Sequence, residues 1–124
     1  MGLFDFFKGK QPQRDEDSTE KYWSLSTYTG EVIDPTLEEI ITAVQEVKPD
    51  KEIFATLTYN NSRLEIKSIQ TIGDAKGYRF EALDSNETIY VNDGLTYEET
   101  LQLFKDFHNY QRVVGFRSWP TETY

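Results

Sequence analysis

At 124 residues, with 22 Asp and Glu against 13 Lys and Arg, the chain has room for one domain and carries a formal charge of −9. That balance speaks against nucleic-acid binding, which needs clustered basic side chains to neutralise phosphates. Cysteine is absent and histidine occurs once, which removes disulfides, thiolate metal sites and a cysteine nucleophile and leaves little for an imidazole metal site. The acidity belongs to the body of the chain. From Tyr22 onward there are 17 acidic against 9 basic residues, a charge of −8.

The start, MGLFDFFKGK, places Leu3, Phe6 and Phe7 at i, i+3 and i+4, the spacing of a short amphipathic helix over residues 1–9 that Gly9 can end. Lys8 and Lys10 beside this apolar cluster permit weak membrane contact through residues 1–10, although two turns bury too little for stable anchoring. Residues 10–21 carry no aliphatic or aromatic side chain and read as an acidic linker. No apolar run reaches the ~20 residues of a membrane span, and a secretory signal pattern is missing at the start, so a cytoplasmic location is expected.

The folded domain is expected over residues 22–119, with 120–124 as a tail. Alternation in YWSLSTY predicts a first strand with Trp23 and Leu25 on one face. Asp34 as cap, Pro35 at the first helical position and the stripe Leu37, Ile40, Ile41, Val44 and Val47 predict a helix that Pro49 stops. Residues 53–92 read as a four-stranded meander. A two-residue turn at Asn60-Asn61 sets Leu57 opposite Leu64, a turn over Gly73–Gly77 sets Ile72 opposite Tyr78, and one around Asp84–Glu87 sets Ala82 opposite Ile89. These registers place Ala55, Leu57, Leu64, Ile66, Ile72, Phe80, Ile89 and Val91 on one face. Thr96 and Glu99 form a capping box ahead of a second helix with Tyr97, Leu101, Phe104 and His108 in its stripe, broadened by Leu103 and Phe107. Val113, Val114 and Phe116 are read as a last short strand. The fold expected is α+β, a two-layer sandwich in the order β-α-β-β-β-β-α, with four to five antiparallel strands and both helices on one face.

The same registers put Phe54, Lys67, Ile69, Arg79, Glu81, Leu83 and Tyr90 on the second face, an apolar and aromatic patch with both signs of charge. These seven are the candidate partner-binding residues, since interface anchors are enriched in such side chains. The face admits two other readings: a solvated sheet surface, or a face covered by the first strand, the N-terminal helix or the Trp119 tail. A second candidate surface is acidic, with Glu31, Asp34, Glu38 and Glu39 around the first helix start and Asp93, Glu98 and Glu99 around the second. Acids at helix starts also offset the macrodipole with no further role.

Catalytic patterns are weak. Asp106 and His108 are two apart on a helix and do not face each other. Gly73–Gly77 lacks the Lys-Ser/Thr ending of a phosphate loop, and Asp15 and Asp17 lack the later residues of a calcium loop. No enzyme activity, cofactor or metal is expected.

GEVIDPTLEEI (Gly30–Ile40), the meander, TYEETLQLFKDFHNY (Thr96–Tyr110) and Trp119 together resemble small bacterial immunity-type proteins. The opening MGLFDFFK is similar to the start of many cytoplasmic proteins of Gram-positive bacteria. The resemblance implies a cytoplasmic inhibitor that binds and blocks a toxin, and it carries over no functional residue. Size and acidity also resemble secretion chaperones. The function expected is therefore a non-enzymatic protein-binding module that occludes a partner protein, with a basic one favoured by the charge. The alternative is a membrane-associated or chaperone-like adaptor working through its N-terminal segment.

Overall fold

Two Thr-x-x-Glu sequences set where the helices begin. In the computed structural model, which describes residues 20–48, 53–74 and 77–123, helix α1 spans Leu37–Glu46 and helix α2 spans Tyr97–Tyr110. Thr36 Oγ1 accepts from the Glu39 N–H at 3.1 Å while Glu39 Oε1 accepts from the Thr36 N–H at 2.9 Å. Thr96 and Glu99 repeat the arrangement at the same two distances. Each box satisfies donors that a helix start leaves unpaired. The cap of α1 is thus Thr36 and not Asp34. Asp34 sits at φ 51° and accepts from the Trp23 N–H at 3.1 Å, tying the turn before the helix to the first strand. Pro49, expected as the helix stop, lies outside the described residues; α1 ends with the Val47 N–H bonded to Val44 O.

The strands are β1 (Tyr22–Thr27), β2 (Gly30–Ile33), β3 (Phe54–Asn60), β4 (Ile66–Asp74), β5 (Gly77–Asp84), β6 (Thr88–Leu95) and β7 (Thr121–Thr123). They form one antiparallel sheet of seven strands in the order β2-β1-β3-β4-β5-β6-β7. The architecture is the expected α+β class with both helices in one core against the sheet, but with more strands. Two strands were not anticipated. After Tyr28 and Thr29 the chain returns along β1 as β2, pairing Thr27 with Gly30 and Leu25 with Val32. At the far end Thr121–Thr123, read as tail, pairs with β6. Val113, Val114 and Phe116 do not form a strand: Val113 is buried, Val114 is exposed, and Gly115 at φ 79° turns the chain into a short 3-10 turn, Phe116–Ser118.

The meander registers also differ. The chain needs residues 61–65 to turn from β3 into β4, so Leu57 faces Ile69 and not Leu64. In the next pair Gly73, not Ile72, faces Tyr78, and in the third Ala82 faces Tyr90, not Ile89. Each slip is an odd number of residues. With a side-chain period of two, an odd slip moves a strand's side chains to the other face, and β4 and β6 are the strands that moved. A bulge between Ile66 and Ser68 and another between Tyr78 and Phe80 add to the offset.

The helix-covered face therefore carries the row Leu25, Leu57, Ile69, Ala82 and Tyr90, with Ala55, Thr71 and Phe80 beside it. Against it pack Ile40, Ala43 and Val44 of α1, then Val47, and Phe104 and Phe107 of α2. Aromatic contacts order this layer. Phe80 meets Phe104 and Trp119 edge-on at 5.8 and 5.7 Å, Trp23 stacks on Tyr59 at 4.3 Å, and Tyr90 meets Phe116 at 4.8 Å.

Candidate functional site

The seven candidate residues separate. Phe54, Arg79, Glu81 and Leu83 lie on the second face. Ile69 faces the helices and is fully buried, and Tyr90 faces Phe116, with its hydroxyl donating to Asp84 Oδ2 at 3.2 Å. Burial and the neighbouring Asp84 carboxylate push the Tyr90 hydroxyl above its ordinary pKa. Lys67 is the extra residue of the Ile66/Ser68 bulge. The cause is again register: the odd slips took Ile69 and Tyr90 off the face expected for them and brought Ile89 and Val91 onto it.

The centre of that second face is polar and closed to solvent. Across the strands run Thr56, Gln70, Glu81 and Val91, and beside them Ser24, Thr58, Ser68, Leu83 and Ile89. The Thr56 hydroxyl donates to Gln70 Oε1, Thr58 and Ser68 share a hydrogen bond at 2.7 Å, and Gln70 Nε2 has no acceptor among the described residues. Arg79 reaches Glu81 at 2.9 Å, Glu122 at 3.0 Å and Asp93 at 3.3 Å. Burial pulls the guanidinium pKa down, but these three carboxylates more than offset it, and the net shift is upward. Glu81 is 1% exposed, so a partner cannot read it directly on this face.

The accessible site is at the opposite edge, where sequence reasoning saw only helix-start acids. Beyond β1 lies β2, whose four residues are all exposed. The turn Tyr28-Thr29 makes Thr27 and Gly30 a hydrogen-bonded pair, and the Asp34 N–H bonds Trp23 O at 2.8 Å in the same alternation. The backbone groups of Glu31 and Ile33 therefore point outward from the sheet. Three exposed large apolar side chains gather here: Tyr28, Val32 and Ile33, at 55, 37 and 39%. Natural edges are blunted by short strands, charged side chains, proline or a bulge; Gly-Glu-Val-Ile is short and carries Glu31, but it has no lysine, proline or bulge.

Between β2 and α1 runs an open groove of about 360 Å³. Leu25, Val32 and Ala43 give it apolar walls, and Glu38, Glu39 and Glu46 line the helix side. Glu39 also closes the capping box. Of the other acids expected in these clusters, Asp34 is held by Trp23, Asp93 pairs with Arg79 and Glu99 caps α2. Glu31 lies on the far side of β2 from the groove, beside Ser26, and partial burial raises its carboxyl pKa above the ordinary 4.5 against a weaker lowering by the Ser26 hydroxyl. The signal that would have found β2 was the β-branched pair Val32-Ile33 following Gly30, a strand cue hidden by the Asp34-Pro35 helix signal.

Among the described residues no group of three or more His, Asp or Glu side chains converges as a metal site, and no helix is long and apolar enough to cross a membrane. His108 lies with its ring 5.2 Å from Trp23, while Asp106 accepts from Gln102 at 3.0 Å. The two side chains therefore have different neighbours. Compared with protein-family models, curated proteins and solved structures, the chain matches none.

Proposed function

We propose that the protein is a non-enzymatic binding module that occludes a partner protein by taking an extended, basic segment of it along β2. The observation that carries this reading is the exposed β2 edge, free of proline and bulge, beside the acidic groove under α1. An added strand would use the outward N–H and C=O groups of Glu31 and Ile33 for affinity. Its alternate side chains would meet Val32 and the groove, and Glu38 and Glu46 would select lysine or arginine there. With a net charge of −9 the whole molecule attracts such a segment at long range. Blocking by occlusion is the mode that the resemblance to immunity-type inhibitors implies, and it requires no catalytic group.

A peptide alternating valine and lysine, added to the isotope-labelled full chain, should shift the amide resonances of Glu31 and Ile33 first. Ile33→Pro removes one outward N–H and bars pairing at that edge, while leaving the inward bonds to β1 in place. The variant should lose the peptide response and keep its melting temperature within a few degrees. Peptide shifts centred elsewhere, or a response that Ile33→Pro leaves intact, would overturn the reading.

A further inference from the structure

The second face poses a problem of layers. Ile89 is 0%, Val91 5% and Leu83 8% exposed, and these three form a hydrophobic cluster separate from the main core. Thr56, Gln70 and Glu81 beside them are equally closed. Yet every described helix and connection that packs does so on the other face. Both helices belong to the main core, Phe116 lies on Tyr90 and Trp119 on Phe80. A single sheet layer leaves its side chains open on one side, and burial of this depth takes a second layer about 10 Å away.

We propose that the second face is the docking site of the chain's own N-terminal segment, Met1–Lys10. Outside the described residues, residues 49–52 and 75–76 and Tyr124 are too short to cover a cluster spanning β5 and β6. Residues 1–19 alone have the length. Within them Leu3, Phe4, Phe6 and Phe7 supply the apolar surface, with Leu3, Phe6 and Phe7 on one helical stripe. The reach suffices. The described chain enters the sheet at β1, and β6 is four places away in the strand order, about 19 Å at the usual strand spacing. Residues 10–21 extended reach on the order of 40 Å. Charge agrees as well: Lys8 and Lys10 flank the apolar cluster, and Asp93 and Glu122, the accessible carboxylates of the excess acid around Arg79, stand on β6 and β7 beside Ile89 and Val91. The fold then has three layers, and the amphipathic start is an internal cover and not a membrane anchor.

The absence of cysteine permits a clean test on the full chain. A nitroxide is attached at Gln11→Cys, and the methyl signals of Leu83, Ile89 and Val91 are compared with those of Leu57 and Ile69 on the helix face. The cover predicts loss of the first set within one labelled molecule. It also predicts recovery of those signals when Phe6→Asp and Phe7→Asp are added to the nitroxide chain. No selective loss, or loss that survives the two aspartates, overturns the proposal. Selective loss in a mixture of nitroxide-bearing unlabelled chains with isotope-labelled cysteine-free chains would make the occupant a second copy, which overturns it too. Disappearance of the effect on adding vesicles of phosphatidylglycerol and phosphatidylcholine would assign the segment to lipid and would likewise overturn the proposal.

Discussion

The two faces of the sheet are held by different physics. On the helix face, Leu57, Ile69, Phe80, Phe104 and Phe107 are all at zero exposure and touch apolar neighbours, so stability there scales with area removed from water. On the second face the side chains are as deeply buried, but many are polar and depend on specific partners, such as Thr56 with Gln70 and Glu81 with Arg79. Apolar burial is tolerant of partner identity. Polar burial is not, because removing one member leaves the other's desolvation uncompensated.

The largest expected effect is on the helix face. Phe104→Ala deletes a ring at zero exposure that contacts Phe80 edge-on, and such truncations cost about 3–5 kcal/mol. Against the ~5–15 kcal/mol of a typical domain, urea unfolding should show a large fraction of the stability gone. A loss below about 1 kcal/mol would mean that this face is not the principal core.

Next comes the ion pair. Arg79→Met strips Glu81 of its guanidinium and should cost about 2 kcal/mol, less than the ~3–5 for a fully buried pair because Arg79 keeps a quarter of its surface in water. The double variant Arg79→Met with Glu81→Met should return to within about 1 kcal/mol of the parent, since an apolar pair of similar volume replaces a buried ion pair with little penalty. If the double variant is as unstable as the single one, the polar face contributes more than partner satisfaction. The same logic at lower stakes applies to Thr56 and Gln70. Gln70 Nε2 has no acceptor among the described residues, so Thr56→Val with Gln70→Leu should be neutral or stabilising by up to about 1 kcal/mol, whereas Thr56→Val alone should not be stabilising.

Burial on both faces also explains which parts of the fold were legible. Local signals were read well where a few residues decide the outcome: the Thr96/Glu99 box, the α1 stripe through Ile40 and Val44, and the alternation of Leu57 and Ala55 on β3 and of Phe80 and Ala82 on β5. Register was not. A strand with one wet face has a single acceptable alternation, but β4 carries Ile66, Ile69 and Ile72, and β6 carries Ile89, Tyr90 and Val91, so either alternation buries apolar groups. Three odd slips could therefore agree with one another and still be wrong. The candidate site suffered in proportion. Phe54, Arg79, Glu81 and Leu83 shared a face because β3 and β5 were read in the right phase, and Ile69 and Tyr90 left it because β4 and β6 were not. The edge strand β2 was hidden for another reason: its four residues are too few for periodicity to register beside a strong helix start.

The smallest effect tests the border between the second face and the free edge. Glu31 sits on β2, its carboxyl pKa raised chiefly by partial burial. Because the folded pKa lies above the ordinary 4.5, the folded chain holds more protons than the unfolded one in that window, and stability declines as pH rises through it. Glu31→Gln, which imitates the protonated form, should therefore be slightly more stable than the parent at neutral pH, and the advantage should shrink to nothing once the pH falls below 4.5. The group is largely exposed, so the change in melting temperature should be the least of the four. A carboxyl carbon titration gives the sharper reading. The free chain should titrate above 4.5, and a bound strand whose lysines enter the groove on the other flank of β2 should leave that midpoint nearly where it is. A midpoint that falls on binding while the Ile33 amide shifts would instead place the basic side chains beside Glu31, since a cation near the carboxylate favours its charged form, and would move charge selection from Glu38 and Glu46 to the other flank of β2.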